Sequence, residues 1–518
     1  MICSSLERNE LFCFNQNGTK HSVLEIQSFR ETTVTLAVER PPAENPTATI
    51  ESAVPRRWLG LIAILAATLL NLLDATIVTV AAPAIRNDLG GSVATVQWLS
   101  AGYTLAMAIG LLTGGRLGDM FGRKRVLLIG LTGFLVASIL CGLATTIELL
   151  LIGRVAQGLF AAVMVPQCFG LIRDLFGREF GKAYAAFGPL IGVATIAGPI
   201  VAGLLVDADL LGTGWRAIFL MNLPLGIVAL ALGAWILPAA QPLPGLTLDL
   251  RGALVAGSGM ALLLYPLVEG RELGWPWWTM AMLTASIPVL ALFAADQVRR
   301  SRSGRVALVE LGVFAKRSYT SGIVFVTVFF GGIGGFSLAV GLFLQMGLGY
   351  GALRASLTMA PWAVGAFLGS GLSAALAPKL GRGVLHLGLA GMTAGLLALF
   401  VQFGGTVAPT PAALAPALLG YGLGMGLIFV PLFGIIVGEL EDHEIGSASG
   451  LLESFQQGAA ALGVAALGTV FFSGFAIGDG PEVALGAMRT VTGVAVLLTV
   501  ASFAVAFGLP KQLGAARH

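Results

Sequence analysis

From Trp58 onward the chain alternates long apolar runs with short polar breaks, and this feature most restricts what it can fold into. A run of about 20 apolar residues is the length a helix needs to cross the hydrocarbon of a bilayer. Such runs fall near 58–83, 94–114, 126–145, 147–171, 183–206, 216–237, 251–269, 277–297, 320–345, 352–377, 384–404, 411–437, 446–473 and 487–508, which predicts fourteen membrane-spanning helices. In lipid every backbone polar group must be satisfied within the spanning structure, so runs of this length read as helices. Only 11% of the 518 residues are charged, too few to coat a soluble core of this size, where roughly 25% is usual. The 71 glycines fit helices that approach one another closely in lipid.

The basic residues set the expected orientation. With the N terminus inside, the inner loops receive Arg116, Arg123, Lys124, Arg125, Arg173, Arg178, Lys182, Arg251, Arg299, Arg300, Arg302, Arg305, Lys316, Arg317, Lys379 and Arg382. The outer loops then hold only Arg86, Arg216, Arg271, Arg354 and Arg489. This asymmetry places both termini in the cytoplasm and the chain in the cell membrane. The acidic loop Glu439, Glu441, Asp442, His443 and Glu444 breaks the pattern, but acidic residues weigh little in the rule.

Residues 1–55 are polar, mixed in charge and contain Pro41, Pro42 and Pro46. They read as a disordered cytoplasmic tail, or as the product of a start codon placed too early, and they lack the apolar run of a secretory signal. The sequon Asn17-Gly18-Thr19 then lies inside and unused. Cys3, Cys13, Cys141 and Cys168 have no CxxC spacing, so no metal site or disulfide framework is expected. There is no phosphate-binding loop, HExxH or usable GxSxG, which argues against ATP-driven transport and against an enzyme. No cofactor and no nucleic-acid partner are expected.

A short internal repeat points to two related halves. Gly115-Arg116-Leu117-Gly118-Asp119-Met120-Phe121-Gly122-Arg123 follows the second run, and Ala374-Ala375-Leu376-Ala377-Pro378-Lys379-Leu380-Gly381-Arg382 follows the tenth. Leu, Gly and Arg coincide and the acid is lost in the second copy, with runs seven and eight inserted between the halves. The expected organisation is a tail at 1–55, a six-helix bundle at 56–238, two linker helices and a cytoplasmic loop at 239–305, a second bundle at 306–510 and a short tail at 511–518.

Several stretches resemble a known family. GGRLGDMFGRKR (Gly114 to Arg125) resembles the loop signature of the major facilitator superfamily, and GRVAQG, with Arg154, Gln157 and Gly158, its fourth-span motif. GVATIAGPIVAG (Gly192 to Gly203) is similar to the fifth-span motif of its antiporters, with Ala202 where a second glycine is usual. LLDATIVTVAAP (Leu72 to Pro83, with Thr79 in place of the usual Asn), WRAIFLMNLPLG and SGLLESFQQGAAALGVAALGTVF resemble the fourteen-span drug:proton antiporters, the EmrB/QacA-like group. The resemblance covers about 58–508. It implies an all-α membrane protein of the major facilitator fold, two six-helix bundles plus two extra helices. It further implies proton-coupled antiport of drugs or antibiotics.

The residues can also be read physically. Asp74 and Arg154 are charges at membrane depth, where such groups face the bundle interior or water. Asp74 lies 16 residues after Trp58, about 24 Å along the first helix, and Arg154 about 10 Å below the outer surface, a comparable depth. Together with Glu453, an acid where relatives of the group have a neutral polar residue, they are the candidate proton-coupling residues. Gly115, Asp119, Gly122 and Arg123 form a candidate cytoplasmic latch, in which Asp119 meets a helix N terminus or Arg123 only while the inner side is closed. Gly192, Gly198, Pro199 and Gly203 predict a bend in the fifth span. Gln157 and Gln457 are candidate polar groups of a central cavity, Gln457 one turn above Glu453 on the same face. The cluster Trp275, Trp277 and Trp278 reads as an interfacial belt.

These readings predict a proton-coupled antiporter that exports amphipathic or cationic small molecules, with protons, substrate and lipid as partners and a monomer as the working unit. The alternatives are a same-fold exporter or uniporter of one metabolite or self-made antibiotic, and a membrane sensor or scaffold that transports nothing. The second lacks a sizeable soluble signalling domain.

Overall fold

The computed structural model describes residues 2–7, 10–14, 20–25, 54–176, 183, 187–209, 212–239, 248–303, 308, 311–440 and 445–510. Most of the expected tail (26–53), the sequon, Arg178, Lys182, Arg305, Glu441 to Glu444 and residues 511–518 lie outside that set.

Two units are present, residues 1–53 and 54–518. In the first, β1 (Ile2–Glu7), β2 (Glu10–Phe14) and β3 (Lys20–Glu25) form an antiparallel sheet in the order β1-β2-β3. The register of β1 and β2 pairs Ile2 with Phe14 and Leu6 with Leu11, within the stretch the sequence reads as a tail.

The second unit is helical. Its helices are α1 (Val54–Leu89), α2 (Val93–Phe121), α3 (Arg123–Gly142), α4 (Ile147–Phe176), α5 (Phe187–Ala208) and α6, in two pieces, Ala217–Leu220 and Asn222–Ile236. They continue with α7 (Leu250–Glu269), α8 (Trp277–Arg302), α9 (Arg317–Leu342), α10 (Ala352–Leu380), α11 (Gly383–Gln402), α12 (Pro411–Val437), α13 (Ile445–Gly474) and α14 (Pro481–Ala506). Among the described residues twelve segments are long and apolar enough to cross a bilayer, or thirteen when the bent α2 counts as one span. The remaining expected span coincides with α5, whose apolar stretch Ala197–Ala208 is shorter.

Local chemistry sets many helix ends. Ser92 and Thr95 form a capping box at the start of α2, and Thr410 accepts from Ala413 N–H before Pro411 opens α12. Gly122 turns the chain from α2 into α3 at φ 90°, a conformation that disfavours side chains. α2 bends by 50° between Leu111 and Thr113, where no break was expected. There the Thr113 hydroxyl donates to the Gly110 carbonyl (3.0 Å) and the Gln167 amide to the Gly114 carbonyl (2.8 Å). Both contacts draw carbonyls away from the helix ladder, a recognised cause of bending. α5, where the bend was predicted, remains helical through Pro199.

The six N-terminal helices and the six C-terminal helices repeat one packing pattern. α1 packs on α5 and α6 as α9 packs on α13 and α14, and α2 packs on α4 as α10 packs on α12. The halves meet along two seams, α2 against α13 and α5 against α10. These seams exchange under a pseudo-two-fold, because α2 corresponds to α10 and α5 to α13. At one end of the second seam, Asp207 of α5 accepts from Leu353 N–H (3.0 Å) at the start of α10, and Gly203 lies so close to Leu353 that a Cβ would come within 2.7 Å of its Cα. α7 and α8 form a hairpin, and α7 lies against both α2 and α13.

Candidate functional site

The charges expected to sit at matching depth meet inside the six N-terminal helices. An Arg154 terminal nitrogen donates to Asp74 Oδ2 at 2.5 Å, with side chains 1% and 0% exposed. Isolated, either charge would be costly here; paired, each still needs its other polar atoms satisfied. Arg154 Nε donates to the Leu99 carbonyl (3.1 Å), and its terminal nitrogen also donates to Gln157 Oε1 (2.8 Å). The Tyr103 ring lies 4.3 Å from the guanidinium carbon, a cation–π contact. Asp74 Oδ1 accepts from Asn222 (2.8 Å) and from Gln157 (3.2 Å), and both amides also reach the Ser138 hydroxyl. Tyr103 donates to Asn71 Oδ1 (2.6 Å) one turn below Asp74. Five helices, α1, α2, α3, α4 and α6, thus converge on one carboxylate and one guanidinium.

Removing the Asp74 carboxylate would break the ion pair and leave Arg154 to its carbonyl, amide and ring partners. Gln157, expected as a polar group of a central cavity, is fully buried within this knot. Asn71, Tyr103, Ser138 and Asn222 were missed. The signal was present, since each is a polar group inside an apolar run, but nothing local says which of them face one another.

Glu453 and Gln457 behave as their spacing requires, Gln457 Nε2 donating to Glu453 Oε1 at 2.9 Å. Glu453 is half-buried on α13. The adjacent Ser454 hydroxyl donates to the Ala108 carbonyl of α2 (2.5 Å), fixing this turn of α13 against the other half.

At the turn from α2 into α3, Arg123 pairs with Asp119 (3.1 Å) and with Asp174 of α4 (2.8 Å), and donates to the Gly170 carbonyl (3.2 Å). The pairing was expected; its meaning changes. All of these groups belong to α2, α3 and α4, so the contact ties one half together and need not report closure of the inner side. Gly115 lies beside Pro166, and Gly118 packs against Gln167, a residue the sequence reading did not single out. In α5, Gly198 faces Thr76 and Leu73 of α1 and Gly203 faces α10, so two of the three predicted glycines mark close approaches to different helices. Gly192 lies in the helix with no contact described.

Among the described residues no group of three His, Cys, Asp or Glu side chains could hold a metal ion. Trp277 is largely exposed at the start of α8, and the Trp278 ring lies tilted against Tyr265 with centroids 6.1 Å apart.

Comparison with known proteins agrees with this architecture. Residues 64–464 match the family model described as Major Facilitator Superfamily. The chain is 43% identical over 440 residues to the "Probable actinorhodin transporter" of Streptomyces coelicolor, covering 84% of this chain and 76% of that protein. It is 34% identical to a puromycin resistance protein of Streptomyces alboniger (80% and 82% covered) and 33% identical to the tetracenomycin C resistance and export protein of Streptomyces glaucescens (81% and 76%). Among solved structures, a proton-dependent oligopeptide transporter matches with a TM-score of 0.60 at 14% identity, over 86% of this chain and 97% of that one. A D-xylose–proton symporter matches at 0.58 and 16% identity, over 85% and 96%. At such identities the structural likeness speaks for the fold alone, but the sequence matches are stronger, and the chain belongs to the Major Facilitator Superfamily.

Proposed function

We propose that the chain exports amphipathic or cationic small molecules from the cytoplasm in exchange for protons, with Asp74, held by Arg154, as the proton-carrying group. The observation that carries this reading is the buried Asp74–Arg154 pair, an acid and a base held at membrane depth by five helices of the N-terminal half. A membrane potential supplies about 2.3 kcal/mol per charge per 100 mV. One proton entering per neutral substrate therefore sustains a gradient of order tenfold to a thousandfold, and a cationic substrate draws on the pH gradient or on a second proton. Glu453 contributes either a second protonation site or a counter-charge for cations. Both termini lie inside, and reporter fusions on the Arg299–Arg317 segment should read cytoplasmic; an extracellular result would require redrawing α7 and α8.

A narrower reading, export of one specific antibiotic, is favoured by three relatives named for individual Streptomyces antibiotics. Proteoliposomes with an imposed pH gradient test transport, and a panel of cationic and neutral compounds that includes antibiotics separates the two. Gradient-independent flux, or none with any compound, would sink the antiport reading.

A further inference from the structure

The α7–α8 hairpin, the insertion between the two halves, is placed where a passive spacer need not be. Its base is fixed. Asp249, 3% exposed at the start of α7, accepts from Gly252 N–H (2.9 Å) and from Gln297 of α8 (3.0 Å), and pairs with Arg300 (3.2 Å). Gln297 in turn accepts from Leu308 N–H (2.7 Å), tying down the loop that leads toward α9. The two helices therefore move as one body.

The outer end grips both sides of the α2–α13 seam. On the α2 side, Glu272 accepts from Ala94 N–H (2.8 Å), an amide of the first turn that has no partner within the helix. Glu269 accepts from the Trp98 indole (2.8 Å), whose ring stands 6.3 Å from Tyr265. On the α13 side, the Thr469 hydroxyl donates to the Leu267 carbonyl (2.5 Å), and Arg271 lies 6.0 Å from the Phe472 ring centroid. Between these contacts Leu264 and Val268 of α7 are buried with Ala94 of α2 and Ala461 and Ala465 of α13. Ala94 and Trp98 belong to one half and Thr469 and Phe472 to the other, so parting the outer ends of α2 and α13 must break one set of contacts.

We propose that the α7–α8 hairpin is an outer clamp: its end holds α2 and α13 together on the extracellular side, and the clamp must release on one side before that face opens. It does for the α2–α13 seam what the Asp207 cap on α10 does for the α5–α10 seam. Glu269 and Glu272 are positioning residues that touch no substrate. The inference rests on the alternating opening of the proposed exporter but not on its substrate or its coupling ion.

The test uses the full-length protein in lipid nanodiscs, with Cys3 and Cys13 replaced by serine and spin labels at Glu148→Cys and Glu482→Cys, exposed positions at the outer ends of α4 and α14. Distances across the outer face are measured without substrate or gradient. In Glu269→Ala/Glu272→Ala and in Thr469→Val the long-distance, outward-open population should rise about threefold or more, the scale expected for losing one or two partly exposed hydrogen bonds. Arg271→Ala, at the half-exposed end, keeps a folded reference should the double variant be unstable, and should shift the population the same way by less. An unchanged distribution in folded Thr469→Val and Arg271→Ala, or a shift toward the closed distance, overturns the clamp. Because the readout needs no flux, a failed export assay leaves it standing, and a failed clamp leaves export standing.

Discussion

The two halves share a packing pattern and differ in what they bury at equivalent places. Counted back from the loop arginines Arg123 and Arg382, Tyr103 and Trp362 each lie 20 residues earlier, and Asp74 and Ile333 each lie 49 earlier. Counted from the starts of α4 and α12, Arg154 corresponds to Leu418 and Gln157 to Tyr421. Where the N-terminal half holds an ion pair beneath Tyr103, the C-terminal half holds rings. Trp362 and Tyr421 stand 4.8 Å apart edge to face, Phe336 packs on both, and the Trp362 indole points to Met425 Sδ at 3.4 Å. A second group, Phe325, Phe329, Phe330 and Phe429, extends along α9 and α12. One core is built on a carboxylate and a guanidinium, and the other on stacked and edge-to-face rings. The difference suggests a division of labour between coupling in the N-terminal half and apolar contact in the C-terminal half.

The sharpest way to break that division is at Asp74. Asp74→Asn should insert normally and lose gradient-driven efflux to background in the proteoliposome assay, while Trp362→Phe and Tyr421→Phe retain gradient dependence. Arg154→Ala should abolish efflux as well and also lower stability, since removing one partner of a buried pair costs about 3–5 kcal/mol unless the stranded acid is neutralised. Full efflux by Asp74→Asn would reduce the pair to scaffolding, and loss of gradient dependence in Tyr421→Phe would erase the contrast between the halves.

Glu453 sharpens the comparison, because it is a carboxylate on the C-terminal side of a seam whose other side carries the knot. Glu453→Gln keeps the hydrogen bond to Gln457 and removes the charge. Export of cationic compounds should fall about tenfold, the equivalent of about 1.4 kcal/mol, with neutral compounds nearly unchanged. Equal loss for both classes would make it a proton site, and no loss would leave it a surface-reaching acid without a role.

The smallest effect is expected at the turn between α2 and α3. Asp119→Ala frees Arg123 from one of its two carboxylates and leaves Asp174 in place. Turnover should fall by a few-fold, in line with a partly exposed pair worth under about 1 kcal/mol, while binding measured at equilibrium is retained. Loss of binding in a folded variant would mean that this end shapes the substrate site directly. The corresponding position in the second copy, Pro378, has no acid to remove, so the asymmetry of the halves extends to their inner loops.

The sequence by itself determined a great deal. Apolar runs located the helices because lipid forces the backbone to close its own hydrogen bonds. Buried charges in those runs located Asp74 and Arg154 because their cost at membrane depth leaves few explanations. The four-residue step placed Gln457 over Glu453 because helix geometry is local. What only the tertiary structure decided is which faces meet. In a soluble helix a polar stripe and an apolar stripe report the buried side, whereas a helix apolar all round carries no such mark. The joining of Asp74 to Asn222 and Arg154, the burial of Gln157, the bend of α2 at Gly110 to Gly114 and the seating of α7 across the α2–α13 seam were therefore decided by close packing between helices distant in sequence, for which glycines and alanines permit approach without naming the partner.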